Sequence, residues 1–418
     1  MDTITHGIVG ALLGKALFAG PEVPAGRADN DAAQALSSPT AKVAIAACTL
    51  GAMFPDIDVF AGPLAHNSLS IMEWHRNITH SIVMLPLWAV ILAAVSIPLS
   101  KLLKWKSPPF SFLFGIYAVG LASHIFLDLV TTFGTMVWSP VQYSRPAWDL
   151  IFILDLTLTS IALVPQLGAW CYREPRQFKR RAISVWALLT VGAFGTYLFA
   201  RAAGYGFSPS VIVVASAIFA ATLFLPAARS AGFNWTRANW CRAGLAALCI
   251  YIGLATAEHH KALADVEQFA AAQNLQVDEL AALPLPPTLT HWVGVISTPN
   301  GVWRATFHEP SGSIEKTQLY AEAAPNHFID QAKKLRDVQV YLWFARFPVW
   351  QMRQTSSGQT VAEISDVRFF RESAPDPADS PQTPMRISGI RARTSGFTFQ
   401  IIFDSAGKVI SHGFREPE

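Results

Sequence analysis

The chain has 418 residues, which is too long for one ordinary hydrophobic core, so at least two domains are expected. Hydrophobic residues make up 51% of it and charged residues only 15%, and the mean hydropathy of +0.31 is high for a soluble protein. The formal net charge of +3 gives no reason to expect a nucleic acid partner. The four cysteines show no CxxC or Cys/His metal spacing, which argues against a thiolate metal site.

Eight apolar segments occupy the first two-thirds of the chain. Those near 4–19 and 41–54 are short for a full span, because about 20 residues are needed to cross the hydrocarbon. The longer candidates lie near 79–100, 109–133, 149–170, 182–202, 209–229 and 240–257. The sequence therefore predicts a polytopic α-helical membrane bundle of about eight segments over residues 1–257.

Basic residues collect in alternate connections between these segments. They follow the third, fifth and seventh segments, as Lys101, Lys104 and Lys106, then Arg173, Arg176, Lys179, Arg180 and Arg181, then Arg229, Arg237 and Arg242. Because Lys and Arg are enriched in cytoplasmic loops, these connections are predicted to lie in the cytoplasm. The N-terminus, the Asp56–His80 loop, the 134–148 loop and everything after residue 257 are then predicted to lie outside.

The last third of the chain has a different pattern. Residues 258–290 are predicted to form an amphipathic helix and a Pro-rich linker. Alternating apolar residues then predict strands at HWVGVIS, GVWRATFH, KTQLYAEA, VQVYLWFARF, ISDVRFF, FTFQIIFD and KVISHGF. One helix is expected at about Pro325–Leu335, and a loop at Ala374–Pro384. Residues 291–418 are thus predicted to be an extracytoplasmic α+β domain.

Histidines and aspartates gather at the predicted outer ends of the segments. The candidate metal ligands are His6, Asp56, Asp58, His75, His80, His124 and Asp128, and Asp149 and Asp155 open the fifth segment. His124 and Asp128 form the strongest pair, because residues four apart share a helix face and an unpaired carboxylate in an apolar helix is costly. Imidazole and carboxylate together suit zinc, manganese or iron. The sequence predicts a divalent metal site, with zinc as the expected ion, built from facing bundle helices.

Each candidate also has a structural explanation. Asp56 and Asp58 follow a proline and fit a turn with a helix cap, and Asp149 fits a helix cap. The His124–Asp128 pair could serve helix packing through a hydrogen bond. All of these explanations would have to hold together for the metal prediction to fail.

Catalytic roles are predicted for three side chains near the ligands. Asp58 or Asp155 would accept a proton from a metal-bound water, and Arg76 would hold an anionic substrate oxygen. Arg145 is a second candidate for the anion. Both arginines could instead contact lipid headgroups.

Five motifs resemble those of the YdjM-like family of bacterial membrane proteins. They are MDTITHGIVGALLGKA, FPDIDVF, HRNITHSI, SHIFLDLVTTFGT and WDLIFILD, and the resemblance covers roughly residues 1–170. It implies a metal-dependent hydrolase of the bacterial inner membrane, and it carries the ligand roles onto the seven candidate metal ligands. The tail, from LPLPPTLTHWVGVI through RFPVW, is similar to extended members of the family.

A more distant resemblance links the N-terminal histidine and the His-x-x-x-Asp helix to the zinc phospholipase C and P1 nuclease group. It implies phosphoester substrates, by analogy only. That group uses an N-terminal amine as a ligand, and Met1 followed by Asp2 offers no clear equivalent.

The function predicted from the sequence is metal-dependent hydrolysis of a lipid or other membrane-borne ester, with a phosphoester as the expected class. A metal-ion transporter or channel is one alternative, and a non-enzymatic envelope scaffold is another. The expected partner is the membrane-borne substrate, and the sequence names no protein partner.

Overall fold

The computed structural model describes residues 1–18, 39–60, 69–202, 208–228, 230–309, 311–355, 358–370 and 397–415. These residues form two compact units. The first comprises Met1–Asp58 and Arg76–Ala255, and the second comprises Val59–His75 and Thr256–Glu418. The predicted loop Ala374–Pro384 lies outside the described residues.

The described helices are α1 (Thr3–Leu17), α2 (Pro39–Met53), α3 (Ser70–Glu73), α4 (Leu85–Leu102), α5 (Phe110–Leu129), α6 (Leu156–Tyr172), α7 (Phe178–Ala202), α8 (Ser210–Ala228), α9 (Arg237–Ala272), α10 (His327–Ala332) and α11 (Arg336–Phe344). Short 3₁₀ turns occur at Phe54–Phe60, Ile78–His80, Pro175–Gln177, Ala231–Asn234 and Val367–Phe369. All eight predicted apolar segments contain a helix, so the predicted helical membrane bundle is confirmed.

Six helical stretches of the described chain are long and apolar enough to cross a membrane. They are Thr40–Phe60, Leu85–Leu102, Phe110–Leu129, Pro175–Ala202, Ser210–Ala228 and Arg237–Ala272. Helix α1 is apolar but shorter. Helix α6 begins later than its predicted segment, because Asp149 has a positive φ of 55° and Asp155 caps the first turn.

Close contacts between helices α1, α2 and α5 depend on glycine. A Cβ atom at Gly10 of α1 would lie 2.6 Å from the Cβ of Ala52, and one at Gly120 of α5 would lie 2.6 Å from the carbonyl oxygen of Cys48. Small residues at such positions let helix backbones approach more closely than larger side chains allow. These three helices therefore pack closely, which brings together residues far apart in sequence.

The second unit contains two four-stranded antiparallel sheets, in the orders β1-β2-β3-β4 and β5-β6-β7-β8. Their strands are β1 (Glu279–Leu285), β2 (His291–Thr298), β3 (Gly301–His308), β4 (Ser313–Ala321), β5 (Pro348–Gln354), β6 (Thr360–Asp366), β7 (Thr398–Phe403) and β8 (Val409–Phe414). With helices α10 and α11, they confirm the predicted α+β class. The last turns of α9 pack on one face of the first sheet through Val266 and Phe269, and Phe347 and Val349 pack on its other face.

Two stretches of this unit differ from the prediction. The predicted linker contains edge strand β1, and an edge strand tolerates Pro284 because one side of its backbone needs no partner. The predicted strand VQVYLWFARF is helical over Arg336–Phe344, and its buried residues Val338, Tyr341 and Phe344 recur every third position. Its β-branched and aromatic composition favoured a strand, but burial on one helix face decided the conformation.

Candidate metal centre

Four of the seven predicted ligands converge in the first unit. Asp56 lies in the 3₁₀ turn that follows α2, His80 ends the turn Ile78–His80, and His124 and Asp128 lie one helical turn apart on α5. All four are buried, and each offers one ligand atom within 4.8 Å of the others. Residues from three separate parts of the chain thus form one polar cluster in an apolar bundle.

The ligand atoms face a common centre. The Nε2 atoms of His80 and His124 are 3.0 Å apart. Asp128 Oδ2 lies 3.3 Å from the first and 3.4 Å from the second of these nitrogens. Asp56 Oδ1 lies 3.5 Å and 3.4 Å from the same two atoms.

The other ring nitrogen of each histidine determines its tautomer. His124 Nδ1 lies 2.6 Å from the carbonyl oxygen of Ala52, and His80 Nδ1 lies 3.1 Å from Asp58 Oδ2. Because both partners are acceptors, we assign the proton of each neutral imidazole to Nδ1. The Nε2 lone pairs then point at each other and at the two carboxylates.

Four acceptor atoms cannot share a buried centre without a positive charge between them. Asp128 Oδ2 accepts no hydrogen bond from the described residues, which leaves one buried carboxylate oxygen for an ion. Burial disfavours a charged His80, but the carboxylates of Asp128, Asp56 and Asp58 outweigh burial and raise the pKa of His80 to about 10. The cluster can bind a metal ion, and without one a proton on His80 supplies the charge.

Asp58 lies beside the cluster and holds His80. Its Oδ2 accepts hydrogen bonds from the backbone N–H of Arg76 at 3.0 Å and from the hydroxyl of Thr79 at 2.9 Å, besides its contact with the imidazole. Carboxylates that accept the far N–H of a metal-binding histidine fix its ring orientation. The geometry supports this orienting role for Asp58, and its predicted proton transfer stays a prediction.

Arg76 is only 1% exposed and adopts a positive φ of 63°. Its Nη2 lies 2.9 Å from Asp128 Oδ1, its Nη1 donates to the hydroxyl of Thr131 at 3.0 Å, and its guanidinium lies 4.9 Å from the ring centre of Phe133. The guanidinium therefore fixes the carboxylate of Asp128. Its predicted role in holding a substrate anion stays a prediction, since its contacts with Asp128 and Thr131 engage only the two Nη atoms of the guanidinium.

His6 also contacts the cluster. Its ring stacks on that of His124 with 3.6 Å between centroids, and its Nε2 lies 3.3 Å from Asp128 Oδ1. The amino nitrogen of Met1 contacts the same oxygen, although the motifs had suggested no role for Met1. The contact of the Ala52 carbonyl oxygen with His124 was likewise not predicted, because every residue has a backbone carbonyl and a sequence motif cannot indicate which one accepts a hydrogen bond.

Asp155 lies outside the cluster. It caps α6, where Oδ1 accepts from the backbone N–H of Leu158 at 2.9 Å and Oδ2 accepts from the hydroxyl of Tyr251 at 2.6 Å. Both oxygens have these partners, and the prediction that Asp155 accepts a proton from a metal-bound water stays a prediction. His75 belongs to the second unit, and its role as a ligand stays a prediction.

The half of the chain that carries this cluster is similar to known proteins. Residues 1–208 match the YdjM inner membrane protein family. The match confirms the resemblance seen in the motifs, and together with the apolar helices it establishes a membrane protein. All four cluster residues lie within the matched residues 1–208.

The chain is similar to the uncharacterized protein YfhP of Bacillus subtilis (strain 168). It is 30% identical to this chain over 156 residues, which is 37% of this chain and 42% of YfhP. The chain thus spans less than half the length of that relative. No solved structure matches the chain significantly. The distant resemblance to the zinc phospholipase C and P1 nuclease group stays a prediction.

Proposed function

We propose that this membrane protein is a metal-dependent hydrolase that acts on a lipid or another membrane-borne ester, with a phosphoester as the preferred class. The observation that carries the proposal is the convergence of Asp56, His80, His124 and Asp128 on one buried centre. Two imidazoles and two carboxylates form a ligand set that suits zinc. Their two negative charges would offset the charge of a divalent ion.

The position of the cluster along the helices supports a membrane-borne substrate. Asp56 lies near the end of the candidate span Thr40–Phe60, and Asp128 lies near the end of Phe110–Leu129. Residues at the end of a span lie close to the lipid headgroups. An ester bond in a headgroup would therefore reach the centre without crossing the hydrocarbon.

Some side chains of this site would bind the metal ion, and others would position those ligands. Asp56, His80, His124 and Asp128 would hold the ion, which when bound would activate a water molecule and polarise an ester oxygen. Asp58 keeps the His80 ring in place, and Arg76 does the same for the carboxylate of Asp128. Asp56 is 7% exposed whereas His80, His124 and Asp128 are fully buried, so we propose that the substrate approaches beside Asp56.

A specific observation favours a second function. The cluster supplies four buried ligands, and structural zinc sites use four protein ligands whereas catalytic sites keep one position open. In that case the metal would join the ends of α2 and α5 to the His80 turn, and the protein would be a non-enzymatic envelope scaffold.

The orientation in the membrane is also part of the proposal. The alternating Lys and Arg connections support a cytoplasmic location for the α4–α5 connection and an outside location for the second unit. Single cysteines at Ser107 and Ser405, introduced into a cysteine-free background, would test it. We expect an impermeant thiol reagent to label Ser405→Cys, but not Ser107→Cys, from outside intact cells. Labelling of Ser107→Cys but not of Ser405→Cys would show that the proposed topology is inverted.

Elemental analysis of the purified protein in mild detergent tests the metal centre directly. We expect about one zinc or similar ion per chain, together with hydrolysis of at least one member of a phospholipid and phosphoester panel. His124→Ala and Asp128→Asn should lose both properties. The matched control is His327→Ala with Asp330→Ala, a histidine and an aspartate exposed on α10, which should retain both.

The outcomes separate the candidate functions. Absence of metal from the correctly folded wild-type protein would refute the metal centre. Bound metal without hydrolysis of any panel member would favour the scaffold. Zinc flux into vesicles that His124→Ala abolishes would favour the transporter predicted as an alternative from the sequence.

A further inference from the structure

A second charged feature lies at the other end of the bundle. Between Asp155 and Glu258 the sequence contains one acidic residue, Glu174. The basic residues in the same stretch are Arg173, Arg176, Lys179, Arg180, Arg181, Arg201, Arg229, Arg237 and Arg242. Except for Arg201, they lie in residues 173–181, which lead from α6 into the first turn of α7, or in residues 229–242, which lead from α8 into the first turns of α9. These two stretches are called the two connections.

Packing of aromatic side chains brings these two connections together. Tyr172 at the end of α6 lies 4.6 Å from Phe178 and 5.1 Å from Trp240, measured between ring centroids, and its hydroxyl donates to the carbonyl oxygen of Leu223 at 2.8 Å. Phe178 also contacts Phe233 of the second connection at 5.3 Å. Basic residues that are up to 69 positions apart, from Arg173 to Arg242, therefore share one end of the bundle.

This end of the bundle is opposite the metal centre. Arg242 Nε donates to the carbonyl oxygen of Ala16 at 3.1 Å, near the last residue of α1, whereas His6 of the metal centre lies near its first. Ten residues of α-helix separate the two positions, which corresponds to about 15 Å. The basic end therefore does not belong to the proposed metal centre.

Most of these cations are available to a partner. Arg173, Arg176, Lys179, Arg180 and Arg242 are exposed. The one acidic side chain, Glu174, lies 3.0 Å from Arg181 and so offsets that residue first. We call the five exposed residues the basic patch.

The surroundings of the basic patch lie at the depth of lipid headgroups. Candidate spans begin at Pro175 and Arg237 and one ends at Ala228, so both connections lie at span ends. Trp170 and Trp235 flank them with 47% and 44% of their surface exposed. Tryptophan at the ends of spans is typical of the membrane interface, where lipid phosphates also lie.

We infer that the basic patch is a binding site for anionic phospholipid headgroups. Arginine and lysine contribute about 1 kcal/mol each to the attraction of an anionic membrane surface. Arginine also suits a phosphate, because its guanidinium donates two parallel hydrogen bonds. A zwitterionic headgroup carries its own ammonium group and would gain much less from the patch.

The test uses the full chain in nanodiscs of one-fifth phosphatidylglycerol and four-fifths phosphatidylcholine. The protein is extracted with mild detergent, and the retained lipids are counted by mass spectrometry. The test variant is Arg176→Gln with Lys179→Gln and Arg180→Gln. The matched control removes three positive charges from the second unit through Lys316→Gln, Lys333→Gln and Lys334→Gln, which are all exposed.

We expect the wild type and the control to retain phosphatidylglycerol in clear excess over its share of the bilayer. The test variant should bind it about a hundredfold more weakly, which brings the retained ratio down to that of the bilayer. No enrichment on the wild type, or equal enrichment on the test variant, would overturn the inference. High salt during extraction should also reduce the enrichment.

Discussion

Asp58→Asn tests how the ligands of the metal centre are held. The wild-type carboxylate accepts from His80 Nδ1 at 3.1 Å, from the Arg76 backbone at 3.0 Å and from the Thr79 hydroxyl at 2.9 Å. The amide has the same shape but no charge, so it would hold the imidazole less firmly and make it less basic. Loss of such an outer partner weakens metal binding roughly 10- to 100-fold. This range corresponds to roughly 1.4–2.8 kcal/mol of binding free energy.

Competition with a chromogenic zinc chelator in detergent would measure the change in Kd. Asp330→Asn is the matched control, because Asp330 is exposed in the second unit. An unchanged Kd for Asp58→Asn would show that Asp58 does not orient His80. Loss of zinc as complete as in His124→Ala would show instead that Asp58 is itself a ligand, and either result would refute the assignment made from the geometry.

Three further predictions concern packing, protons and stability. Gly120→Val should lower the melting temperature and the metal content, because the valine side chain would clash with the Cys48 carbonyl oxygen. The control Gly115→Val, on the same helix, should be tolerated because nothing lies within 4 Å of a Cβ atom at that position. Zinc binding should release protons at pH 7, because the ion displaces a proton from His80, whose pKa is about 10. The apparent zinc affinity, measured by chelator competition, should therefore rise up to about a hundredfold between pH 7 and pH 9. A pH-independent affinity would contradict this. Burial and the neighbouring Asp265 raise the pKa of Glu309 from 4.5 to about 7, so its favourable protonated form is kept below pH 4.5 and lost as the pH rises through 7. Glu309→Gln should therefore stabilise the second unit at pH 8, with no gain at pH 4, as measured by hydrogen exchange of β2 and β3.

Much of the architecture follows from the sequence. The runs of apolar residues predict helices from local sequence alone, and each of the eight predicted segments contains a helix. The i, i+4 spacing of His124 and Asp128 likewise places both on one face of α5, because helix geometry alone determines that relation. For such features the information is local, so a pattern in the chain is sufficient.

Other features were decided by contacts between distant parts of the chain. Arg76 was predicted to bind a substrate, but Asp128 and Thr131, which lie more than fifty residues away in sequence, hold its guanidinium. Residues 336–344 had a composition that favours a strand, but they form a helix that buries one face within the second unit. The sequence by itself determined which side chains could bind a metal and which segments could cross a membrane. The tertiary structure alone decided which of those side chains meet and which serve to hold the others, because hydrogen bonds and close backbone approach depend on atoms that the chain order does not bring together.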